Sequence, residues 1–126
     1  MDKTELQNRT KKFAIRVFKL VDNFPKSKSA DVVAYQLLKS ASSVAANYRA
    51  VNRAKSTTDF HNKVKVVLEE ADESNFWLTF IKEIELLNQS FLNELDFLIK
   101  ESDEFTAIFT STVKTLDNAK STNSKS

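Results

Sequence analysis

This 126-residue sequence predicts an all-α domain, an antiparallel up-down-up-down four-helix bundle, on three observations. It contains no glycine and a single proline, so the αL helix caps, tight hairpin turns and phosphate-cradling loops that rely on glycine are missing. Its apolar residues recur at alternating steps of three and four in four separate segments, the period of a bundle seam. The breaks between segments are short and polar, which favours antiparallel neighbours. One domain fits this length. The bundle is expected over residues 1–118. Residues 119–126, which carry no apolar period, are expected to form a disordered tail.

The first helix is expected from about Thr4 to Asn23, with Leu6, Phe13, Val17, Leu20 and Phe24 along one side. Pro25 ends it, because proline has no amide proton and disfavours helical geometry in the residue before it. Ser27 or Ser29 can cap the second helix. That helix repeats Ala30, Ala34, Leu37, Ala41, Val44, Tyr48 and Val51. Its many small residues predict a close helix contact at Ala41 and Ala45. Ser56, followed three residues later by Asp59, starts the third helix and places an acid at the positive end of its dipole. Its seam is Phe60, Val64, Val67, Ala71, Ser74, Leu78 and Ile81, and it should run to Leu87 before the Asn88-Gln89-Ser90 break. The fourth helix follows with Phe91, Leu95, Leu98, Ser102, Phe105, Phe109, Thr112 and Leu116.

Composition also excludes chemistry. Without cysteine there is no disulfide framework, thiolate zinc site or thiol nucleophile, in keeping with a cytoplasmic protein. No run resembles a signal peptide, and none reaches the roughly 18 apolar residues of a membrane span. The carboxylates Glu69, Glu70, Asp72 and Glu73 are the densest acidic cluster, yet no Glu-x-x-His pair accompanies them, as a di-iron bundle would require. The sole histidine, His61, near Ser56 and Asp59, has neither a nucleophile elbow nor a glycine-shaped oxyanion hole beside it. It reads as structural. A hairpin centred near Ser56 instead pairs Arg53 with Asp59, Lys39 with Glu73 and Ser42 with Glu70, so the acids act as hairpin partners.

The net charge of +2 hides an asymmetry: residues 1–66 carry 14 basic and 5 acidic side chains, residues 67–126 carry 5 and 12. Arg9, Lys12, Arg16 and Lys19 follow 3-4-3 spacing and occupy about 80° of the first helix. Arg49, Arg53 and Lys55 crowd the end of the second, with Lys63 and Lys65 close by on the third. Such stripes can track phosphates in a salt-dependent, sequence-independent way. They also serve as solvated helix faces, and no aromatic is interleaved here for base stacking.

Apolar residues exceed what one seam uses. On the third helix, Phe76, Trp77, Phe80, Ile81, Ile84 and Leu87 spread over about 140°, wider than the ~100° stripe of a surface helix. Phe97 and Ile108 point away from the main stripe of the fourth. Phe76, Trp77, Phe80, Phe97 and Ile108 therefore form a candidate oligomer interface.

One further pattern is specific in combination. Phe13-Ala14 with Arg16-Val17 leads to Gln36-Leu37-Leu38-Lys39-Ser40-Ala41 and then Ser43-Val44-Ala45-Ala46-Asn47-Tyr48-Arg49-Ala50. Arg53, Ser56, Asp59-Phe60, Lys63, Glu69-Glu70-Ala71-Asp72-Glu73-Ser74 and Trp77-Leu78 complete it. The chain thereby resembles the family of four-helix bundle proteins encoded in 23S rRNA intervening sequences. The resemblance implies a left-handed bundle assembled as a homopentameric ring or barrel, with no catalytic residues to carry over. A related branch, the accessory variability protein of diversity-generating retroelements, partners a reverse transcriptase and is strongly basic; the acidic C-terminal half departs from it. Residues and resemblance together predict a non-enzymatic, homo-oligomeric binding or scaffolding protein without cofactor, metal, small-molecule substrate or membrane. The alternative is a nucleic-acid-binding accessory protein, engaging RNA or DNA through its basic face.

Overall fold

The structure, a computed structural model, describes residues 1–125, with side chains described as far as Ala119. Its elements are α1 (Lys3–Val21), α2 (Lys28–Val51), α3 (Thr57–Glu83), a 3₁₀ turn (Gln89–Phe91) and α4 (Leu92–Lys125). Among the described residues there is no strand, and no helix is long and apolar enough to cross a membrane. The tail expected over 119–126 lies, apart from Ala119, outside the residues whose side chains are described.

The first three helices each start on a side-chain cap. Asp2 accepts from Glu5 N at 2.8 Å, Ser27 from Ala30 N at 3.1 Å and Ser56 from Asp59 N at 3.0 Å. Asp59 reaches back to Lys55 N at 3.0 Å, so the α2–α3 turn satisfies its donors reciprocally. The α3 helix stops at Glu83, four residues before Leu87, where the seam predicted its end. Glu85 turns left-handed at φ 53°, while its N–H bonds Lys82 O at 3.1 Å and Leu86 N–H bonds Ile81 O at 3.2 Å. Those two bonds make a Schellman cap with glutamate in the place usually held by glycine.

The helices pack in chain order, α2 on α3, α3 on α4 and α1 on α2, with a lighter α1–α4 seam closing the bundle. The 3-4 seams form the core. Phe13, Leu37, Val44, Val67, Leu78, Leu98 and Phe105 are all buried, and the Phe13 and Phe105 rings meet edge to face with centroids 5.4 Å apart. Of the two alanines expected at a close helix contact, Ala41 is fully buried and Ala45 is half-buried between α1 and α2. Ser40 Oγ and Ser74 Oγ are hydrogen-bonded at 3.0 Å, which fixes the α2–α3 register. It is close to the predicted one, but none of the three predicted cross-pairs forms. Lys63 takes Asp59, and no ion pair of Arg53 or Lys39 occurs among the described residues.

Candidate interaction faces

The basic residues read from the sequence divide into two groups. On α1, Arg9 donates from Nε to Glu101 at 2.8 Å and from Nη2 to the same carboxylate at 2.6 Å, and it also pairs with Glu104. Arg16 holds Glu94 in the same bidentate way, Nε to Oε2 being 2.9 Å. The hydrogen bond to Arg16 pulls the Glu94 carboxyl below its usual range, and the one to Glu101 raises Arg9. These two arginines bind α1 to α4. Only Lys12 and Lys19 of the stripe stay exposed and without an ion pair among the described residues.

At the other end of α2 the structure brings four candidates together. Arg49, Arg53, Lys55 and Lys63 line one open cleft of about 730 Å³ with Ala46, Ala50 and Asp59. Asp59 is the single carboxylate in it, and the hydrogen bonds from Lys63 and from Lys55 N hold that acid below its ordinary range. Among the described residues Arg49, Arg53 and Lys55 have no ion-pair partner. Such a cleft suits a phosphate or another polyanion. Lys65, exposed on α3, does not line it.

The aromatic candidates divide as well. Phe76 is 54% exposed and makes an edge contact with Trp77, centroids 4.9 Å apart, and Trp77 in turn meets Phe80 at 5.5 Å. Trp77 is half-buried, with its Nε1–H enclosed and without an acceptor among the described residues. Ile108 is partly buried against the core. Phe97 stays 42% exposed, with one face of its ring under the Arg16 guanidinium. The Arg16 contact places Phe97 at the edge of the α1–α4 seam.

A second apolar face escaped the sequence reading. Between α1 and α2 runs an open groove of about 570 Å³, floored by Ala14, Ile15, Phe18 and Ala45. Ile15 and Phe18 are 45% and 46% exposed. Lys11, Lys19 and Arg49 rim it, with Asp22 its sole carboxylate. The signal was present: Lys11, Ile15, Phe18 and Asp22 repeat at 4-3-4 spacing behind the buried seam.

His61 Nε2 lies 3.0 Å from Asp117 Oδ1, tying the start of α3 to α4 at ion-pair distance but out of hydrogen-bond alignment. No group of three or more histidines and carboxylates able to hold a metal ion occurs among the described residues.

Comparison with known proteins gives these faces a setting. The family model described as 23S rRNA-intervening sequence protein matches residues 2–108. The chain belongs to that family. This intervening-sequence protein also resembles a solved structure, a protein of unknown function from the S23 ribosomal protein family of Bacteroides thetaiotaomicron VPI-5482. The two share 26% identity and a TM-score of 0.78, over 90% of this chain and 99% of that one. No curated protein matches the intervening-sequence chain.

Proposed function

We propose that this intervening-sequence protein is a non-enzymatic binding module of the cytoplasm that works as a homo-oligomer, a pentamer by its family resemblance. The observation that carries the reading is apolar surface left over on a bundle whose core is already filled. Ile15 and Phe18 on one side and Phe76 on another remain about half exposed, and separate exposed apolar faces on a small chain mark association surfaces. Light scattering coupled to size exclusion at micromolar concentration tests it. A mass that is a multiple of 14.4 kDa supports the reading, and a single subunit sinks it.

A second reading is favoured by the cleft of Arg49, Arg53, Lys55 and Lys63: a ring of such subunits presents several identical cationic clefts to RNA or DNA. Anisotropy of a labelled single-stranded RNA, titrated at several salt concentrations, tests this. Binding that weakens steeply with salt and is lost in Arg49→Ala/Arg53→Ala supports it. No binding at low salt rejects it.

A further inference from the structure

We infer that the α1–α2 groove of one subunit receives the outer edge of α3 of the next, a helix-in-groove contact joining two different faces of the same chain. The inference rests on the homo-oligomer proposed above and names the surfaces that make it.

The geometry of α3 is the first ground. Besides its buried seam it carries a second one, Val66, Glu69, Glu73, Phe76 and Phe80, again at 3-4-3-4 spacing. Phe76 and Val66 are among the exposed large apolar residues of the molecule. At about 100° per residue, Phe76 lies nearly opposite the middle of α3's buried arc. An outward seam at this period is the pattern that packs against other helices. Phe80 is partly buried against the chain's own core, while Val66 and Phe76 stay exposed among the described residues.

The groove is the second ground. Its α1 wall repeats at 4-3-4 spacing and its α2 wall, Ser42, Ala45 and Arg49, at 3-4. Two parallel ridges with small side chains on one of them leave room for a third helix to approach closely. Ile15 and Phe18 supply the apolar floor that Val66 and Phe76 would cover.

Charge is the third ground, and it selects a second copy over an unrelated partner. The rim of the groove is Lys11, Lys19 and Arg49, none of them ion-paired among the described residues. From Val67 to Ile81 every charged side chain of α3 is a carboxylate, with Glu69 and Glu73 inside the outward seam itself. Basic rim meets acidic ridge when one chain docks on another. Two copies of the groove, or two copies of the ridge, would repel. Because the faces differ, each subunit keeps one of each free, and successive contacts run head to tail until they close on themselves.

The test uses full-length protein with two single variants, Phe18→Glu in the groove and Phe76→Glu on the ridge, checked for helicity by circular dichroism. Wild type should elute as an oligomer and each variant alone as one subunit. An equimolar mixture of the two should form a heterodimer, since one intact groove and one intact ridge survive in it. Should a variant lose helicity, Lys11→Glu/Lys19→Glu and Glu69→Lys/Glu73→Lys replace the pair. Each alone should again elute as one subunit, and their mixture should reassemble as an oligomer, since both the native and the reversed junction then join opposite charges. A wild-type monomer overturns this inference together with the reading beneath it. An oligomeric wild type whose variants keep its mass overturns the inference alone. Variants that stay monomeric when mixed reject the pairing of these two faces.

Discussion

The guanidinium carbon of Arg16 lies 3.6 Å from the centroid of the Phe97 ring while its Nε donates to Glu94 at 2.9 Å. One side chain thus covers an aromatic face and neutralises an acid, and both contacts join α1 to the start of α4. Planar stacking with bidentate donation is a task arginine performs and lysine does not.

Removing that contact should be measurable. Arg16→Met keeps the apolar stem but loses the stacking and the ion pair, and should cost about 1 kcal/mol. The effect should depend on pH. Glu94 is held below its ordinary range, so its contribution is present above about pH 4.3, the unfolded value, and is lost as pH falls through the lower folded value. Urea midpoints of wild type and variant should differ at pH 7 and differ less in acid, where only the lost stacking on Phe97 remains. Equal midpoints at pH 7 would refute the role given to Arg16.

Glu70 should behave with the opposite sign. Burial raises its pKa, Glu73 adds to the rise, and Lys39 offsets part of it. A raised folded value means the native state holds the proton more tightly, so stability is greatest below the unfolded pKa and falls as pH rises through the folded one. Glu70→Gln should therefore stabilise the bundle at neutral pH and leave it unchanged in acid. A variant less stable than wild type at pH 7 would show that Lys39 outweighs burial and Glu73.

At the end of α3, Glu85 holds a left-handed conformation that costs a residue with a Cβ roughly 1 kcal/mol. Glu85→Gly should raise stability by about that amount, reduced by the entropy glycine gains when unfolded. Thermal midpoints decide it, and a fall on substitution would show the Schellman turn is not strained.

Ala41 and Ala45 make a contrasting pair. Ala41 is sealed in the core, and Ala41→Leu should cost roughly 1–3 kcal/mol through overpacking. Ala45 lines the open groove, and Ala45→Leu should change subunit stability by less than about 0.5 kcal/mol. Denaturation midpoints that moved together would contradict the two environments.

The core was legible because burial follows the 3.6-residue period. On α3, Val64, Val67, Ala71, Ser74, Leu78 and Ile81 were all read as seam and all are buried. The end of α3 was misread because Ile84, Leu86 and Leu87 continue the apolar pattern while the chain turns at Glu85, where no glycine marks the cap. The α1 stripe was legible as charge but not as partnership. Glu94, Phe97, Glu101, Glu104 and Ile108 repeat at the same 3-4 spacing with opposite charge, which was the available signal. Ile15 and Phe18 were overlooked because a sequence shows that a residue is apolar, not whether another helix lies over it.

The seam between α1 and α4 combines the buried Phe13–Phe105 contact with arginine–glutamate pairs, and it is lighter than the α1–α2, α2–α3 and α3–α4 contacts. Surface charge is screened by salt and buried hydrocarbon is not. Salt should therefore weaken the hold of the 19-residue α1 on α4 more than it weakens the other helix contacts. Native-state hydrogen exchange should show α1 amides losing protection as salt rises, with α3 amides unmoved; equal protection loss in both helices would refute it. A helix seated between α1 and α2, as inferred above, would clamp α1 from its other side, so the proposed assembly should raise the protection of α1 amides.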